Sequence, residues 1–438
     1  CHRVSETIMA ESRTRLKPRT RPSINSWFGA NGMVETMAGK KTVRAGLVGS
    51  GFAAKLHIDG IRRLHGTNAE VVGVYSPTAA HARTFAEAHD IAAIGELDDL
   101  IEKVDVVHVC APPVAHEPVA VRALAAGRHA IVEKPLTGFF GDDGQDLDGR
   151  TLPKQRALDE AMVSIARMLE AERQSSSCIL YAENWVYAPA IQKEREVIEK
   201  TGAQILWLHG EEAHSGSHSK AYGHWRLTGG GSMIGKGCHP LSAALYLKRV
   251  EGRARDGRPI RPATVSGRTH SLTRLEGFID QGHLRTDYHD VEDFSAMHVV
   301  FADGTIADIF ASEIIMGGIH NWLEVAANNH RTVCNINPNT AMQTYNPVEA
   351  NFDDIYVVEK IGTKQGWSSP APDEDHFTGF PQEIEAFYRT VAYGEPVESD
   401  SRLAADTIAT IYAAYLSAER AGAEVAVPRA AGAGPDQD

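Results

Sequence analysis

Short apolar runs alternate with amphipathic stretches through the first part of the chain. Runs rich in apolar and β-branched residues, such as Val-Arg-Ala-Gly-Leu-Val at 43–48, predict buried parallel strands. The other predicted strands are 70–75, 104–110, 129–132 and 178–182, and the predicted helices end near 64 and span 79–89, 117–126 and 154–172. Strands and helices that alternate at this spacing predict an α/β fold with a doubly wound parallel sheet.

From about residue 183 the pattern changes to strands that follow one another more directly. The strand-like segments are 205–209, 263–266, 296–301, 305–311 and 322–326. Asp303-Gly304 lies between two of these segments and is a hairpin signal. Two helices are predicted near 381–393 and 402–421. This pattern predicts a C-terminal α+β domain with a large, mostly antiparallel open sheet.

The same patterns divide the chain into four expected segments. Residues 1–42 lack an apolar targeting segment, and we expect a flexible N-terminal extension without a catalytic role. Residues 43–182 are expected to form the dinucleotide-binding domain, with a Gly- and Asp-rich surface insertion near 138–153. Residues 183–425 are expected to form a domain for substrate binding and oligomerisation whose last helix packs back, followed by a flexible tail at 426–438.

Composition excludes several classes of partner. The formal net charge of −13 disfavours nucleic acid and anionic membranes, and no apolar run approaches the length of a membrane span. Five widely scattered cysteines without a C-x-x-C pair fit free thiols in a reducing cytoplasm, and they do not indicate disulfides or a structural zinc site.

The turn Gly49-x-Gly51-x-x-Ala54 lies between a predicted strand and a predicted helix, the context of the Rossmann fingerprint. Gly49 permits the tight turn, and Gly51 allows the backbone to approach a pyrophosphate at the helix start, beside Phe52 and Ala53. Ser76 stands after the second strand, where an acidic residue that binds the ribose is expected. The fingerprint predicts NAD as the cofactor, and Ser76 leaves the choice between NAD and NADP open, so NADP is not excluded.

Glu133-Lys134-Pro135 follows another predicted strand, at the edge of the sheet where ligands bind. A lysine at this edge can hold a substrate hydroxyl or, when desolvated, act as an acid or base. The alternative is a surface lysine ahead of a proline-containing loop.

Three motifs together resemble the Gfo/Idh/MocA oxidoreductases. They are Cys110-Ala111-Pro112-Pro113-x-x-His116, Ala126-Gly127-Arg128-His129 and Glu133-Lys134-Pro135. The resemblance implies a Rossmann domain, an open-sheet domain that often forms the interface of a homodimer or homotetramer, and a nicotinamide cofactor. The residues that it implies for the cofactor are Gly49, Gly51, Pro112, His116, Glu133, Lys134 and, at the junction of the domains, Asn184.

A second signature of the same family runs from Trp225 to His239 and contains Gly229-Gly230-Gly231. In similar dehydrogenases an Asp four residues before the His joins the lysine and the His in the site. His239 matches this pattern, whereas Gly235 stands in the Asp position and Lys236 follows it. The expected catalytic residues are therefore Lys134, His239 and Lys236, with Lys236 adding positive charge to the pocket or, alternatively, pointing to solvent.

Polar and aromatic residues near these motifs are candidates for sugar binding, because sugars are held by hydrogen bonds and ring stacking. The candidates are Trp185, Tyr187, His214, Trp225, Arg226, Lys236 and His239. For Trp185 and Tyr187 the alternative is core packing. His214 and His218 have a metal-like spacing, but Gly216 disfavours the helix that such a pair needs, and no metal is expected.

The expected function is NAD(P)-dependent hydride transfer between the nicotinamide and a secondary hydroxyl of a sugar, glycoside or cyclitol. The alternative is a redox-neutral glycosidase of the same superfamily, similar to the NAD-dependent sulfoquinovosidases, which retains its cofactor through oxidation, elimination, hydration and reduction. A third class, a non-catalytic sugar or dinucleotide sensor, is disfavoured by the presence of Glu133, Lys134 and His239.

Overall fold

The apolar runs of the first half fold into the strands of a six-stranded sheet. The computed structural model describes residues 39–142, 146–337 and 341–430. The elements of this half are β1 (Thr42–Val48), α1 (Phe52–Ile61), β2 (Asn68–Tyr75), α2 (Ala79–His89), β3 (Ala93–Ile94), α3 (Leu97–Lys103), β4 (Val106–Val109), α4 (His116–Ala125), β5 (His129–Glu133), α5 (Lys154–Gln174) and β6 (Ile179–Ala182).

These strands lie in the order β3-β2-β1-β4-β5-β6, and the pairings between neighbours are parallel. The central strand β4 is buried along its whole length, as its continuous apolar sequence predicts. The order reverses between β1 and β4, so the strand ends there open a crevice where dinucleotides bind in folds of this type. The predicted doubly wound Rossmann sheet is confirmed.

The second half contains a larger sheet and a series of helices. Its elements are α6 (Asn184–Tyr187), α7 (Pro189–Thr201), β7 (Ile205–Ala213), α8 (Trp225–Thr228), α9 (Ser232–Gly235), α10 (Cys238–Asp256), β8 (Pro262–His270), β9 (Phe294–Phe301), β10 (Ile306–Ser312), β11 (His320–Ala327), β12 (Arg331–Asn337), β13 (Thr344–Asn346), β14 (Gly366–Ser368), α11 (Glu374–Thr378), α12 (Phe380–Tyr393), α13 (Ser401–Glu419) and β15 (Val425–Ala426).

The large sheet has seven strands in the order β12-β11-β7-β10-β9-β8-β15. Within it β7 and β10 are parallel, and the other neighbouring strands are antiparallel. The prediction of a large, mostly antiparallel sheet is confirmed. Helices α10 and α13 pack on this sheet, and α13 also contacts α5 of the first half. Helix α13 therefore packs back against the first half of the chain, as predicted for the last helix.

The 19-residue helix α10 was not among the predicted elements. Its first 15 residues are all buried, and they include Lys248, Arg249 and Glu251. A helix that is buried on every side has no amphipathic stripe, so the usual period of apolar residues is missing from its sequence. Burial also corrects the expectation of a surface insertion near 138–153, because Phe139 and Leu152 are both buried in the core.

Two further expectations concern the chain ends and the membrane. Residues 1–38 and 431–438, which include most of the expected flexible extension and tail, lie outside the described residues. Within the described part of the chain, no helix combines the length and the apolar character needed to cross a lipid bilayer.

Candidate active site

The turn between β1 and α1 has the geometry that a bound dinucleotide requires. Gly49 has a φ of +105°, and a Cβ at this position would lie 2.5 Å from the carbonyl oxygen of Cys110. Only glycine fits this turn without strain. A Cβ at Gly51 would meet no atom within 4 Å, so there is open space at the helix start. This space lies where backbone N–H groups and the helix dipole attract an anion.

Other expected cofactor residues lie along the same edge of the parallel sheet. Ser76 follows β2 and is half-buried, and Pro112 follows β4 and is exposed. Phe52 is 58% exposed beside the open helix start, and Ala53 is half-buried. Because β1, β2 and β4 are parallel neighbours, their carboxyl ends bring these residues to one crevice. The residues present therefore fit a dinucleotide.

His116 and Asn184 are fixed by the backbone beneath this crevice. The ring nitrogens of His116 lie 2.8 Å from the Pro135 oxygen and 2.9 Å from the Ala111 oxygen. The side-chain amide of Asn184 donates to the Thr378 oxygen over 2.7 Å. Both side chains are buried, so their placement supports an indirect role in shaping the crevice.

Lys134 projects from the end of β5 and reaches Gly235 near the end of the second signature. Its Nζ donates to the carbonyl oxygen of Gly235 over 2.9 Å. Burial alone would lower the pKa of Lys134, but the surrounding Tyr222, Cys238 and Glu212 outweigh that effect and raise it. The side chain therefore stays an ammonium at neutral pH. The role of Lys134 as an acid or base stays a prediction.

Glu133 faces away from this ammonium, towards a buried histidine. One of its oxygens lies 3.0 Å from Nε2 of His57, whose Nδ1 lies 2.7 Å from His108. The other oxygen accepts a hydrogen bond from the backbone N–H of Lys134 over 3.1 Å. Glu133 thus holds the backbone from which Lys134 projects.

His239 lies in the first turn of α10 between two buried carboxyl groups. Its Nδ1 is 2.6 Å from an oxygen of Glu183, and its Nε2 is 3.8 Å from an oxygen of Glu212. The indole of Trp185 stacks on the imidazole, with the ring centroids 6.0 Å apart and an interplanar angle of 19°. Trp185 is 1% exposed, so its observed partner in the site is His239.

Burial controls the protonation of this group. It lowers the pKa of His239 to about 4, and it raises the pKa of Glu183 to about 8. Burial also raises the pKa of Glu212. At neutral pH the imidazole is therefore neutral, and the proton of the pair resides on Glu183. Neither carboxyl group was among the expected site residues, because nothing in the local sequence shows that β6 and β7 end beside His239.

Gly235 occupies the position where the family signature has an Asp. The helical turn α9 ends at this glycine, and the ring of Tyr222 lies directly above it, 3.1 Å from where a Cβ would stand. The Lys134 Nζ is 5.9 Å from the centroid of the same ring. Tyr222 thus lies beside Lys134 and Gly235, although it was not among the expected site residues.

Lys236 is 2% exposed, which excludes the alternative that it points to solvent. Its Nζ forms a buried ion pair with Glu313 at the end of β10 and donates to Ser217 Oγ over 3.1 Å. Burial alone would raise the pKa of Glu313, but the Lys236 ammonium outweighs it and lowers that pKa. The positive charge expected from Lys236 is therefore balanced by a carboxylate.

The histidines of the preceding loop have separate partners. His214 is buried, its Nδ1 accepts a hydrogen bond from the Gly216 N–H over 3.1 Å, and burial lowers its pKa far below the ordinary value. His218 pairs with Glu359 over 2.5 Å. The pair of histidines is thus not arranged as a joint ligand set, although His214 lies near Lys236 and remains in the pocket region.

Three of the expected substrate residues form polar contacts with other segments of the chain. The hydroxyl of Tyr187 bonds to Ser399 over 3.0 Å, and its ring packs on Phe387. The indole N–H of Trp225 donates to the Phe139 oxygen over 2.9 Å, and Arg226 donates to the Asp142 oxygen over 3.3 Å. Tyr187 is thereby assigned to core packing. Trp225 and Arg226 lie on α8, which contacts the segment Pro113–Ala115 after β4, and their role in substrate binding stays a prediction.

One group of side chains could hold a metal ion, although none was expected. Glu183, Cys238 and His239 each bring a ligand atom to within 4.8 Å of the others. Burial raises the pKa of the Cys238 thiol well above its ordinary value, and a protonated thiol is a poor ligand. The neighbouring Lys134 ammonium competes for the same negative charge.

Comparison with known proteins agrees with this geometry. Residues 43–144 match the model of the Gfo/Idh/MocA oxidoreductase family, described as an NAD-binding Rossmann fold. Inositol 2-dehydrogenase from Corynebacterium glutamicum is 39% identical over 131 residues, which cover 29% of this chain and 37% of that enzyme. An uncharacterized oxidoreductase from Synechocystis sp. is 22% identical over 64% of this chain and 68% of its own length.

Similarity of the fold extends over most of the chain. The crystal structure of GenD2 from gentamicin A biosynthesis, in complex with NAD, has a TM-score of 0.68 at 21% identity and covers 89% of this chain and 97% of GenD2. A putative myo-inositol dehydrogenase from Sinorhizobium meliloti 1021 has a TM-score of 0.63 at 18% identity, covering 88% of this chain and all of that one, 100%. Residues 43–144 therefore match the NAD-binding Rossmann domain of the Gfo/Idh/MocA oxidoreductases, and the solved structures extend the similarity of fold over most of the chain.

Proposed function

We propose that this oxidoreductase transfers hydride between NAD and a secondary hydroxyl group of a sugar, glycoside or cyclitol. The observation that carries the proposal is that Lys134 lies close enough to His239 for its ammonium to add to the effect of burial in lowering the pKa of the imidazole. One supplies a permanent ammonium, fixed on Gly235, and the other a neutral imidazole, fixed by Glu183. A relative that matches this chain in part is named for the oxidation of inositol, a cyclitol.

The cofactor site would be formed by the residues of the crevice. Gly49 and Gly51 leave the α1 start open for the pyrophosphate, with Phe52 and Ala53 beside it. Ser76 and Pro112 would line the adenosine and ribose side, and Glu133 and Lys134 the side of the nicotinamide, which supplies the hydride acceptor or donor. Ser76 brings no carboxylate that would repel a 2′-phosphate, so NADP is compared directly with NAD in the assay below.

Lys134 would bind the oxygen of the reacting carbon. An ammonium has three N–H donors, and the bond to Gly235 uses one of them. In this buried place the charge stabilises an oxygen that becomes negative as its proton leaves. Because the pKa of Lys134 is raised, the lysine keeps this charge throughout the neutral range.

His239 would move the proton of the reacting hydroxyl. In the reductive direction Glu183 carries a proton at neutral pH and can pass it to Nδ1, while the imidazole gives its Nε2 proton to the substrate oxygen. In the oxidative direction the ionised Glu183 accepts a hydrogen bond from Nδ1–H, which leaves Nε2 free to accept the proton. Glu183 is thus the positioning residue of His239.

Glu212 offers a place for a second substrate hydroxyl. One of its carboxyl oxygens is buried and has no hydrogen-bond partner among the described residues. A buried acceptor without a partner costs free energy, and a sugar hydroxyl would relieve that cost. Polyols present neighbouring hydroxyl groups, so one could bind Lys134 while the next binds Glu212.

The proposal extends to the organisation of the chain. Residues 43–182 would bind the dinucleotide, and residues 183–425 would bind the substrate and form the interface of a dimer or tetramer. The outer face of the seven-stranded sheet carries the half-buried aromatic residues Trp207, Phe310 and Trp322 around His209. Such a face is typical of an interface between copies.

A panel assay on purified protein tests the proposed function. Free sugars, cyclitols and nitrophenyl glycosides, including acidic and sulfonated ones, are offered with NAD+ or NADP+, and reduced nicotinamide and released nitrophenol are followed in parallel. Stoichiometric NADH from a sugar, cyclitol or intact glycoside is expected. Release of nitrophenol without net NADH, lost when the bound cofactor is removed, would contradict the proposal and establish the redox-neutral glycosidase.

A further inference from the structure

The contact between Tyr222 and Gly235 replaces the contact that a larger residue at position 235 would make. A Cβ at Gly235 would lie 3.1 and 3.2 Å from two carbons of the Tyr222 ring. Contacts this short are uncommon for a Cβ, so the ring would have to shift by a few tenths of an ångström to admit a side chain at 235. Gly235 therefore leaves the Tyr222 ring its present place.

The Tyr222 phenol also shares the electrostatic environment of Lys134. The Lys134 Nζ lies 5.9 Å from the centroid of the Tyr222 ring and donates to the carbonyl of Gly235 beneath it. Burial raises the pKa of Tyr222, so its hydroxyl keeps its proton at neutral pH.

A protonated phenol differs chemically from the carboxylate that it replaces. A carboxylate accepts hydrogen bonds and protons, whereas a phenol that keeps its proton can donate one. Two donors that converge on one oxygen stabilise negative charge on it more strongly than one donor does. The exchange of carboxylate for phenol thus shifts this part of the pocket from accepting a proton to donating a hydrogen bond.

We propose that Tyr222 is a further substrate-binding residue of this enzyme, whose hydroxyl, together with the Lys134 ammonium, donates hydrogen bonds to the oxygen of the reacting carbon. The proposal rests on the proposed function for the identity of that oxygen. It assigns the base to His239 alone and charge stabilisation to the Lys134–Tyr222 pair. The glycine at 235 lets the phenol ring pack directly on the backbone there.

Substitutions that separate the ring from its hydroxyl test this proposal. Tyr222→Phe keeps the ring above Gly235, and its kcat is expected to fall by about 10²-fold, the effect of losing one donor to an oxyanion, with little change in cofactor affinity. Tyr187→Phe is the matched control, because it also removes a buried phenol hydroxyl, bonded there to Ser399. Its kcat is expected to stay within about twofold of the wild type, well below the oxyanion-donor effect.

Substitutions at both positions test whether a side chain at 235 is in contact with the Tyr222 ring. Gly235→Asp alone should lower the melting temperature, because the carboxylate meets the Tyr222 ring. In the Tyr222→Ala background the same change should cost little stability, and it should recover part of the activity that Tyr222→Ala loses. Equal destabilisation in both backgrounds would contradict competition for one space.

A measurement without turnover keeps this inference separate from the proposed function. Protein labelled with carbon-13 at the tyrosine Cζ gives a Tyr222 signal identified by its loss in Tyr222→Phe, and this signal is expected to move in Lys134→Met. If no panel compound reacts, the proposed function fails. The change in the Tyr222 signal on Lys134→Met then still decides whether Tyr222 and Lys134 interact. If the signal does not move, or if Tyr222→Phe turns over like the wild type, the inference is overturned.

Discussion

The Glu183 carboxyl lies 2.6 Å from Nδ1 of His239, although 56 positions separate the two residues in the chain. Glu183 follows β6 of the parallel sheet, and His239 begins α10 of the second half, so the pair joins the two parts of the site. Burial sets its protonation, with a pKa of about 8 for Glu183 and about 4 for His239. The charge state of Glu183 therefore decides whether His239 can accept a proton.

This pair predicts how the rate depends on pH. Above pH 8 Glu183 is ionised and accepts from Nδ1–H, so Nε2 is free to act as the base, and the rate of alcohol oxidation should rise through that pH. The reverse reduction should fall through the same pH, because the protonated pair is then lost. Initial rates measured in both directions between about pH 6 and about pH 10, a range that brackets the pKa of Glu183, check these opposite slopes.

Glu183→Gln isolates the carboxyl group in the same experiment. The amide can accept from Nδ1–H at every pH, so the inflection near pH 8 should disappear while the ring stays oriented. Glu183→Ala removes the support and should lower kcat by about 10²-fold or more, the lower range of general acid–base catalysis. An unchanged inflection in Glu183→Gln would assign it to another group.

Much of this site follows from the sequence, and the rest depends on contacts between distant segments. The Gly49 turn was predicted from its glycine pattern, Lys134 from its place after a strand, and His239 from the resemblance to the Gfo/Idh/MocA signature. Glu183 and Glu212 were missed, since only the folded chain brings the ends of β6 and β7 to His239. The partner of Lys236, Glu313, is likewise 77 residues away, so its charge balance has no local signal.

For aromatic residues, sequence reasoning named side chains whose polar atoms turn out to bond within the core. Tyr187 and Trp225 flank predicted site segments, yet their polar atoms bond to Ser399 and Phe139 in the core. A bulky side chain near a motif has no sequence signal for the direction in which it points. The two sheets, in contrast, were predicted well because each apolar pattern extends over several residues and reports burial directly.

The two glycines of the dinucleotide turn should respond differently to alanine. In Gly49→Ala the new Cβ would stand 2.5 Å from a backbone oxygen at a φ of +105°, so the protein should be strongly destabilised. In Gly51→Ala the Cβ meets nothing within 4 Å, and the melting temperature should hardly change. The methyl group should nevertheless weaken NAD binding by about tenfold or more, which corresponds to about 1.4 kcal/mol.

Thermal unfolding and calorimetric titration with NAD measure these two effects separately. If a well-folded Gly51→Ala protein binds NAD with normal affinity, the pyrophosphate does not bind beside Gly51 at the start of α1.

The buried pair of Lys236 and Glu313 should contribute to stability through mutual compensation. Both side chains are 2% exposed, so Lys236→Met leaves an unpaired buried carboxylate and should cost about 3–5 kcal/mol in the free energy of unfolding. The double variant Lys236→Met/Glu313→Leu removes both charges and should recover most of that loss. Urea unfolding of the single and double variants measures the coupling, and additive losses would contradict it.

The double variant also bears on catalysis. If Lys236 acts in the reaction, the restored protein remains slow, whereas near-normal turnover would assign Lys236 a structural role only.

The outer face of the large sheet should form the contact between subunits. His209 lies 4.7 Å from Trp322 and 5.5 Å from Phe310, measured between ring centroids, and Val333 on the neighbouring strand β12 is 46% exposed. Phe310→Glu places a charge in this patch and should shift a dimer or tetramer towards monomers in sedimentation velocity. Lys103→Glu, a charge change on α3 of the other half, is the control and should leave assembly unchanged. A wild-type protein that sediments as a monomer would contradict this interface.

The transfer of a deuterium label tests the central claim most directly. A sugar or cyclitol that reacts in the panel is prepared with deuterium on the carbon that is oxidised, and the reduced cofactor released into solution is analysed by mass spectrometry. The account predicts one deuterium in NADH for each molecule of ketone formed, with Lys134→Met lowering the rate of both together. Ketone or cleaved glycoside without deuterium in free NADH would contradict direct, net hydride transfer by this site.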